Sequence, residues 1–427
     1  MKMNLLKNHE ILIIGLLSAV MIGIPLTHYI CAVNALYYSY IANIIYAVSI
    51  PCFIIVLFYI MKQKKFIKIS MYEKLFLILF ILLIINCITA KNHTYALFGA
   101  PGRNEGLFSL LCYYTLFYTS RLITNEKNRT LVINIFLTIL TIHALYGIGQ
   151  FYELGLSFIH DYYHYAISGV AGNPNFMGSL MVIASAVSIG MAVYSNKRSK
   201  KIVYLVLTFI FVTALIFTKT MSAYLGLAAI LFTLFLLFTV YIFKAKGKKV
   251  TTIFIFSILT VGFILLFVID KLAYGIISSE IKIILTQLAN GNIESLASGR
   301  FLIWLNIFKI LPEYILFGVG IDGLEAPYYE RYGLFNGAFL DKAHNELLQI
   351  LITMGILVFI CYIILYVLIA KDLKERVKSS KNNAVNMALL FAFVGYITQA
   401  MFNISVLDVA PYFWILLGLM AKPITSE

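Results

Sequence analysis

Charged residues are scarce in this chain, and their scarcity decides its class. Of 427 residues, 12% are charged and 61% are hydrophobic, whereas soluble domains have about 25% charged residues. So few wettable side chains cannot cover the surface of a soluble protein. Apolar runs such as LFLILFILLII fit instead the roughly 20 residues that a helix needs to cross a bilayer. The composition therefore predicts an all-α, polytopic integral membrane helical bundle.

Signatures of several chemistries are missing as well. The sequence has no G-x-x-x-x-G-K-[ST] loop, which argues against ATP-driven transport by this chain. Its five cysteines lie in or beside apolar runs without a C-x-x-C pair, so we interpret them as small hydrophobic residues. We expect no cofactor and no metal.

Hydropathy predicts about twelve transmembrane helices in a single membrane domain, residues 1–427. A large, partly helical extracytoplasmic loop, 271–344, separates the ninth span from the tenth, and its apolar repeat from Phe301 to Leu311 predicts a helix lying along the membrane interface. The predicted spans are 11–31, 39–61, 72–90, 105–120, 130–150, 175–195, 201–218, 221–243, 250–270, 345–370, 384–403 and 408–421.

The net charge of +14 is explained by topology rather than by nucleic-acid binding. With the N-terminus inside, most of the 33 Lys and Arg residues fall in cytoplasmic segments, as the positive-inside rule demands. We therefore expect both termini to be cytoplasmic and the varied polar segments to face outward, in contact with membrane lipid but with no nucleic acid.

Two stripes of polar residues lie at helical spacing in the outer halves of predicted spans. Either stripe alone is typical of interhelical hydrogen bonding. Because both end at the same face, we expect a water-accessible cavity that opens outward. The stripes are His143, Tyr146, Gln150 and Glu153 in the fifth span, and Tyr396, Gln399 and Asn403 in the eleventh.

The segment AGNPNFMG, 171–178, predicts a helix start at the outer face. Asn173 is a good N-cap and Pro174 a good first helical residue. The free amides around Asn173 and Asn175 would suit a phosphate group, although a plain helix start explains the pattern equally well.

Three basic residues stand in exported segments. Arg103 and Arg300 each follow a glycine and lie close to a helix start, where a guanidinium can bind phosphate oxygens in a bidentate manner. An arginine beside a membrane can also simply contact lipid phosphate. Lys219, in the exported turn between the seventh and eighth spans, is a weaker candidate for a third charge on the same anion.

His344 stands at the start of the predicted tenth span, in the segment DKAHNELLQ. There the helix dipole would keep its imidazole neutral near pH 7, as a general base requires. Asn345 lies beside it, and Asp341 is placed to orient the ring. The alternative is a histidine that only caps a helix. No second histidine at ligand spacing accompanies it, so a zinc site is a poorer explanation.

The blocks SGRFLIWLNIFKILPEYILFGVGIDG and AHNELLQILITMGILVFICYIILY resemble the signature of the O-antigen ligase and O-antigen polymerase superfamily. AGNPNFMGSLM and GRNEGLFSLL are similar to two further blocks of it, so the resemblance spans about residues 99 to 370. One position departs from the pattern: members often carry Ser-Arg after the seventh span, where this chain has Ser222-Ala223.

The resemblance implies a bacterial cytoplasmic-membrane glycosyltransferase of surface polysaccharide biosynthesis. Such enzymes move a glycan from an undecaprenyl-diphosphate-linked oligosaccharide donor to a glycan or other hydroxyl acceptor on the outer face. It implies that His344 is the catalytic base and that Arg300 and Arg103 bind the diphosphate, with Lys219, Asn173, Asn175 and Asn345 as further substrate-binding candidates.

Two alternatives remain open at this point. The sequence does not separate a ligase from a polymerase, although we favour a polymerase slightly. A non-catalytic flippase of lipid-linked glycan is the rival from another class. It predicts an internal repeat and polar residues in both halves of the bundle, whereas here they are concentrated outward and no repeat is evident.

Overall fold

The computed structural model describes residues 2–33, 39–62, 70–154, 166–272, 275–291, 299–379 and 384–424. Within these ranges most of the chain is helical and none of it forms a strand, which confirms the predicted all-α class. The helices are α1 (Lys2–Val33), α2 (Ser39–Lys62), α3 (Met71–Thr89), α4 (His93–Phe98), α5 (Leu107–Arg121), α6 (Glu126–Phe151), α7 (Pro174–Tyr194), α8 (Arg198–Phe217), α9 (Met221–Leu272), α10 (Ile276–Ala289), α11 (Arg300–Tyr314), α12 (Glu325–Tyr332), α13 (Glu346–Met354), α14 (Ile356–Ser379), α15 (Ala384–Ala400) and α16 (Ala410–Met420).

Many of these helices have the properties of membrane spans. Within the described ranges, eight helices are long and apolar enough to cross a bilayer, namely α1 to α3, α6 to α9 and α14. α15 and α16 are apolar but shorter, and α5 has 15 residues. The chain is therefore a multi-pass, membrane-embedded protein, as its composition predicted.

α9 departs from the prediction, which placed two spans at 221–243 and 250–270 with a basic loop between them. The structure has a single helix of 52 residues there. At 1.5 Å per residue its length is roughly 80 Å, against a hydrocarbon core of about 30 Å. The predicted break relied on charge, but lysine is a good helix former and one glycine costs a helix only about 1 kcal/mol.

The predicted tenth span, 345–370, is also different, because it consists of two helices, α13 and α14. Gly355 separates them with φ at +86°. A Cβ atom at this position would lie 2.2 Å from the backbone oxygen of Leu316. The helix breaks there because the segment that follows α11 lies directly against its backbone.

α7 forms the centre of the bundle, with 94% of its span buried. Its many small residues allow neighbouring helices to approach closely, as is typical inside membranes. A Cβ atom added at Gly190 would lie 2.4 Å from the Cα atom of Ala388 in α15. α7 and α15 thus form the rigid middle against which the polar end of the bundle is built.

The polar stripes that were expected to line an outward cavity mainly make interhelical and local hydrogen bonds. Gln399 and Asn403 are each 1% exposed and both bind Ser179 of α7, at 3.0 Å. Gln150 accepts a hydrogen bond from the backbone amide of Gly169 at 2.9 Å. For these residues the cavity prediction was wrong, because their polar atoms satisfy one another rather than water.

The predicted loop 271–344 contains α10, α11 and α12, and α11 and α12 share a small hydrophobic core with α13. Ile303 and Ile307 of α11 are buried in this core. Phe301, Leu305 and Phe308 remain exposed, at 37%, 40% and 56%. An exposed apolar face of this kind suits a helix lying along the membrane interface.

Residues near the two ends of the described chain, Glu10 and Ile424, lie together at the end of the bundle away from this loop. α5 begins beside the loop and ends at Arg121, whose backbone oxygen accepts a hydrogen bond from the amide of Ile424 at 3.2 Å. The next connection is bound by α1, since Glu10 accepts from the amide of Thr124 at 3.0 Å. Which membrane face each end occupies stays a prediction.

Candidate active site

Arg300 and His344 are brought together by one hydrogen bond between distant segments. Arg300 is the first residue of α11. One turn later, the indole Nε1 of Trp304 donates to the carbonyl oxygen of Ala343 at 2.9 Å. Ala343 directly precedes His344, so α11 is fixed beside the predicted base.

The backbone of His344 is strained. Asn345 is the N-cap of α13, so His344 lies outside the helix, and its φ is +50°. The left-handed region costs a residue with a Cβ atom roughly 1–2 kcal/mol. Such strain persists only where the surroundings impose it, and it is common at functional sites.

The imidazole of His344 is held neutral by its surroundings. Its pKa is lowered from 6.5 to about 4 by burial first and then by the positive charges of Arg300, Arg103 and Lys342, against the opposing charge of Asp341. The sequence predicted this direction but attributed it to the helix dipole. The structure places the histidine just before the cap residue and adds burial and three cations as causes that act in the same direction.

Arg103 forms a bidentate ion pair with Asp341, which the sequence had placed as a partner of His344. The guanidinium Nε is 2.5 Å from Oδ2 and Nη2 is 3.2 Å from Oδ1. Burial opposes the ionisation of both groups, but their hydrogen bonds and opposite charges outweigh it. The pKa of Asp341 is therefore lowered and that of Arg103 raised.

No group among the described residues compensates the charge of Arg300. Among the described residues, its guanidinium has neither an ion-pair partner nor a hydrogen-bond partner. Burial lowers its pKa, and no carboxylate of the residues that the structure describes reverses that effect. A partly buried cation without a counter-ion is costly, so this position is suited to an anionic ligand.

A second layer of charge lies behind these residues, and the sequence analysis missed it. The ammonium of Lys342 is 2.6 Å from Oδ1 of Asp322 and 3.1 Å from Oε2 of Glu105. None of the three residues is more than 7% exposed. A signal for two of them was present, because Glu105 stands two residues from Arg103, and Lys342 directly follows Asp341.

A small cavity of about 50 Å³ borders this layer. Glu105 accepts hydrogen bonds there from Ser405 at 3.0 Å and Tyr113 at 3.2 Å. Glu346, on the same cavity, accepts from Tyr396 at 3.0 Å. Since a water molecule needs about 10–15 Å³ by this measure, the cavity has room for a few waters and none for a sugar.

Asn86, near the end of α3, connects this end of the bundle to the segment after α11. Its amide donates to the oxygens of Phe317 and Thr353 at 2.5 and 2.9 Å, and its own oxygen accepts from the amide of Ile321 at 2.9 Å. A side chain that is 1% exposed thus satisfies three backbone groups, and it sets the path of the chain that leads into Asp322.

We expect Asn86→Ala to lower the free energy of unfolding, because it leaves buried backbone groups without partners. Each such group costs about 1–3 kcal/mol. The measurement is thermal unfolding of the detergent-purified variant, with Thr89→Ala, an exposed hydroxyl on the same helix, as control. An unchanged midpoint in both variants would contradict this role.

Two of the predicted substrate-binding residues act as helix caps. The side-chain oxygen of Asn345 accepts a hydrogen bond from the amide of Leu348 at 3.0 Å. That of Asn173 accepts from the amide of Asn175 at 2.8 Å, and the helix begins at Pro174. The predicted start of α7 is therefore confirmed, while the binding roles of these asparagines stay predictions.

The start of α7 is connected to α11 of the site by two contacts through the segment after α15. Asn403 donates to the backbone oxygen of Asn175 at 3.1 Å. Its neighbour Phe402 packs on Trp304, with 5.7 Å between ring centroids. Lys219 lies in the turn between α8 and α9, with φ at +50°, and its binding role stays a prediction.

The fold and this charged end define a multi-pass helical membrane protein with a polar site at one end of its bundle. Residues 206–363 match the family model described as O-antigen ligase. The resemblance seen in the sequence is therefore confirmed over the region that holds Arg300 and His344, and it supports a membrane glycosyltransferase of the O-antigen ligase and polymerase type that uses lipid-linked glycan. No curated protein matches the chain.

Proposed function

We propose that this protein transfers or polymerises undecaprenyl-diphosphate-linked glycan on the outer face of the bacterial cytoplasmic membrane. The observation that carries the proposal is the neutral imidazole of His344 beside Arg300, whose charge has no counter-ion in the described part of the chain. A base and an anion-binding group at one place are the two elements that glycosyl transfer from a diphosphate carrier requires.

The reaction is a displacement at the anomeric carbon of the donor. The acceptor hydroxyl attacks this carbon as His344 takes the hydroxyl proton. The bond from the carbon to the diphosphate oxygen breaks, and its electron pair leaves with the carrier diphosphate. Such a displacement inverts the anomeric centre.

The charged groups differ in what they offer the diphosphate. The guanidinium of Arg300 is not engaged by any carboxylate among the described residues, so all its donors can serve the leaving group. Arg103 shares two of its nitrogens with Asp341 and offers Nη1. Lys219 and the side chains of Asn173 and Asn175 remain candidates for further contacts with the donor, since the backbone amide of Asn175 already donates to the Asn173 cap. Asn345 retains its amide N–H groups.

The test is an assay of purified protein in detergent with undecaprenyl-diphosphate oligosaccharide. Release of carrier diphosphate with longer glycans would show a polymerase, which we favour slightly. Release that requires a different acceptor would show a ligase. If folded protein releases no carrier under any condition, the catalytic proposal fails and the flippase alternative takes its place.

The pH profile should reveal the depressed pKa of His344. A base works only when it is neutral, so we expect kcat/KM to stay level as the pH falls from 7 to 5 and to decline near pH 4. An unperturbed histidine would cause the decline near 6.5. As the pH falls from 6.5 towards 4, the unfolded chain takes up a proton on His344 while the folded chain does not, so the free energy of unfolding also falls in this range. Circular dichroism must therefore confirm folding at each pH.

A further inference from the structure

Lys342 contacts carboxylates from two other parts of the chain. Its carboxylate partners are Glu105, in the connection that also carries Arg103, and Asp322, in the turn after α11. Lys342 itself lies between Asp341 and the strained His344. One ammonium therefore links three segments: the connection that carries Arg103, the segment after α11, and the segment that carries the predicted base.

Each of its partners is anchored a second time. Asp322 accepts a hydrogen bond from the backbone amide of Ala100 at 2.7 Å, and Glu105 accepts from Ser405 and Tyr113. The network therefore continues into α5 and into the connection between α15 and α16. Movement of any of these connections would disturb the position of the ammonium.

The network is built from ionic contacts shielded from water. Lys342 is 3% exposed, Asp322 is 3% and Glu105 is 7%. The carboxylates raise the pKa of the lysine in spite of its burial, so the ammonium stays charged. Removal of one partner from such a cluster leaves an unpaired charge that is poorly solvated. Either the backbone then shifts to expose the charged group, or the group changes its protonation state.

We propose that Lys342 is the positioning residue of this site, whose ammonium holds the Arg103, Asp322 and His344 segments in the relative arrangement that glycosyl transfer needs. It does not touch the reacting atoms. The inference rests on the proposed function, because its main measurement is transfer by the native protein.

The experiment compares Lys342→Met with Lys342→Arg in the carrier-release assay. We expect Lys342→Met to lower kcat by about 100-fold, with KM for the donor changed much less, because a displacement of about 1 Å can cost that factor. Lys342→Arg keeps a cation between the two carboxylates and should recover most of the loss. A lysine that served only general stability would lower the amount of folded protein and leave kcat per folded molecule unchanged.

The matched control is Lys91→Met. Lys91 forms an ion pair with Glu330 at 3.5 Å, also between loop segments at this end of the bundle, but both side chains are more than 60% exposed. We expect its kcat to remain within twofold of native. A kcat of folded Lys342→Met within twofold of the native value would overturn the proposal. If that variant does not fold, Glu105→Gln, which leaves the Asp322 pair, should still lower kcat, and an unchanged kcat would overturn the proposal.

Amide hydrogen exchange separates this proposal from the proposed function. Lys342→Met, or Glu105→Gln if that is the folded variant, should speed exchange in 99–106, 318–323 and 341–346 together, and Lys91→Met should not. Native protein that releases no carrier would defeat the proposed function, yet coupled exchange would still support the network. Faster exchange confined to 341–346 would overturn it.

Discussion

His344→Ala should abolish most of the carrier release by the purified protein while the protein remains folded. General base catalysis contributes about 10²–10⁴-fold, and we expect a loss in that range in kcat. His344→Asn should be equally inactive, because asparagine tolerates the φ of +50° but has no basic nitrogen. The comparison of the two variants separates the chemistry of the side chain from the strain of the backbone.

The control for this experiment is another histidine at the same end of the bundle. His93 is exposed at the start of α4, where its ring lies 2.9 Å from the backbone oxygen of Cys87. His93→Ala should keep kcat within twofold of native. If folded His344→Ala also retained native activity, His344 would not be the base and the mechanism proposed above would be wrong.

Arg300→Ala should produce the second large effect, because its partly buried guanidinium has no counter-ion among the described residues. Removal of one donor that stabilises developing charge costs about 10²–10³-fold in kcat, or about 2.7–4 kcal/mol. Folding should be preserved or slightly improved, since a partly buried, unpaired charge is lost. The measurements are kcat, donor KM and the thermal unfolding midpoint.

Arg331→Ala is the matched control, because Arg331 lies on α12 in an exposed ion pair with Glu313. It should leave kcat within twofold of native. Arg103→Ala is harder to interpret, because it leaves the carboxylate of Asp341 without its partner. The double variant Arg103→Ala with Asp341→Asn removes both charges and is therefore the informative one. Arg300→Ala with native kcat would remove Arg300 from the diphosphate site.

Local features were predicted well because their causes lie within a few residues. The start of α7 at Pro174 follows from an asparagine cap and the fixed φ of proline, and the apolar repeat of α11 follows from helical spacing. The two failures in the helix list are also instructive. Lysines between two apolar runs did not end α9, and Gly355 ended α13 only because a distant backbone approaches it.

The candidate site was predictable in its members but not in its pairings. Arg103, Arg300 and His344 stand out because of neighbouring glycines, helix starts and family-like blocks. Asp341 was assigned to His344 from its proximity in sequence, but it pairs with Arg103, 238 positions away. Glu105, Asp322 and Lys342 were overlooked because a charged residue in a polar loop looks solvated until the fold buries it.

The sequence alone determined that this is a multi-pass, all-α membrane protein with an O-antigen ligase-like region, because hydropathy, helix signals and motif blocks are carried by short stretches of chain. Only the tertiary structure decided which charges meet, which of them remains unpaired, and where the ammonium of Lys342 is enclosed. The physical reason is that the energy of an ion depends on its distance to other charges and on its access to water, and both are set by the packing of connections that are hundreds of residues apart.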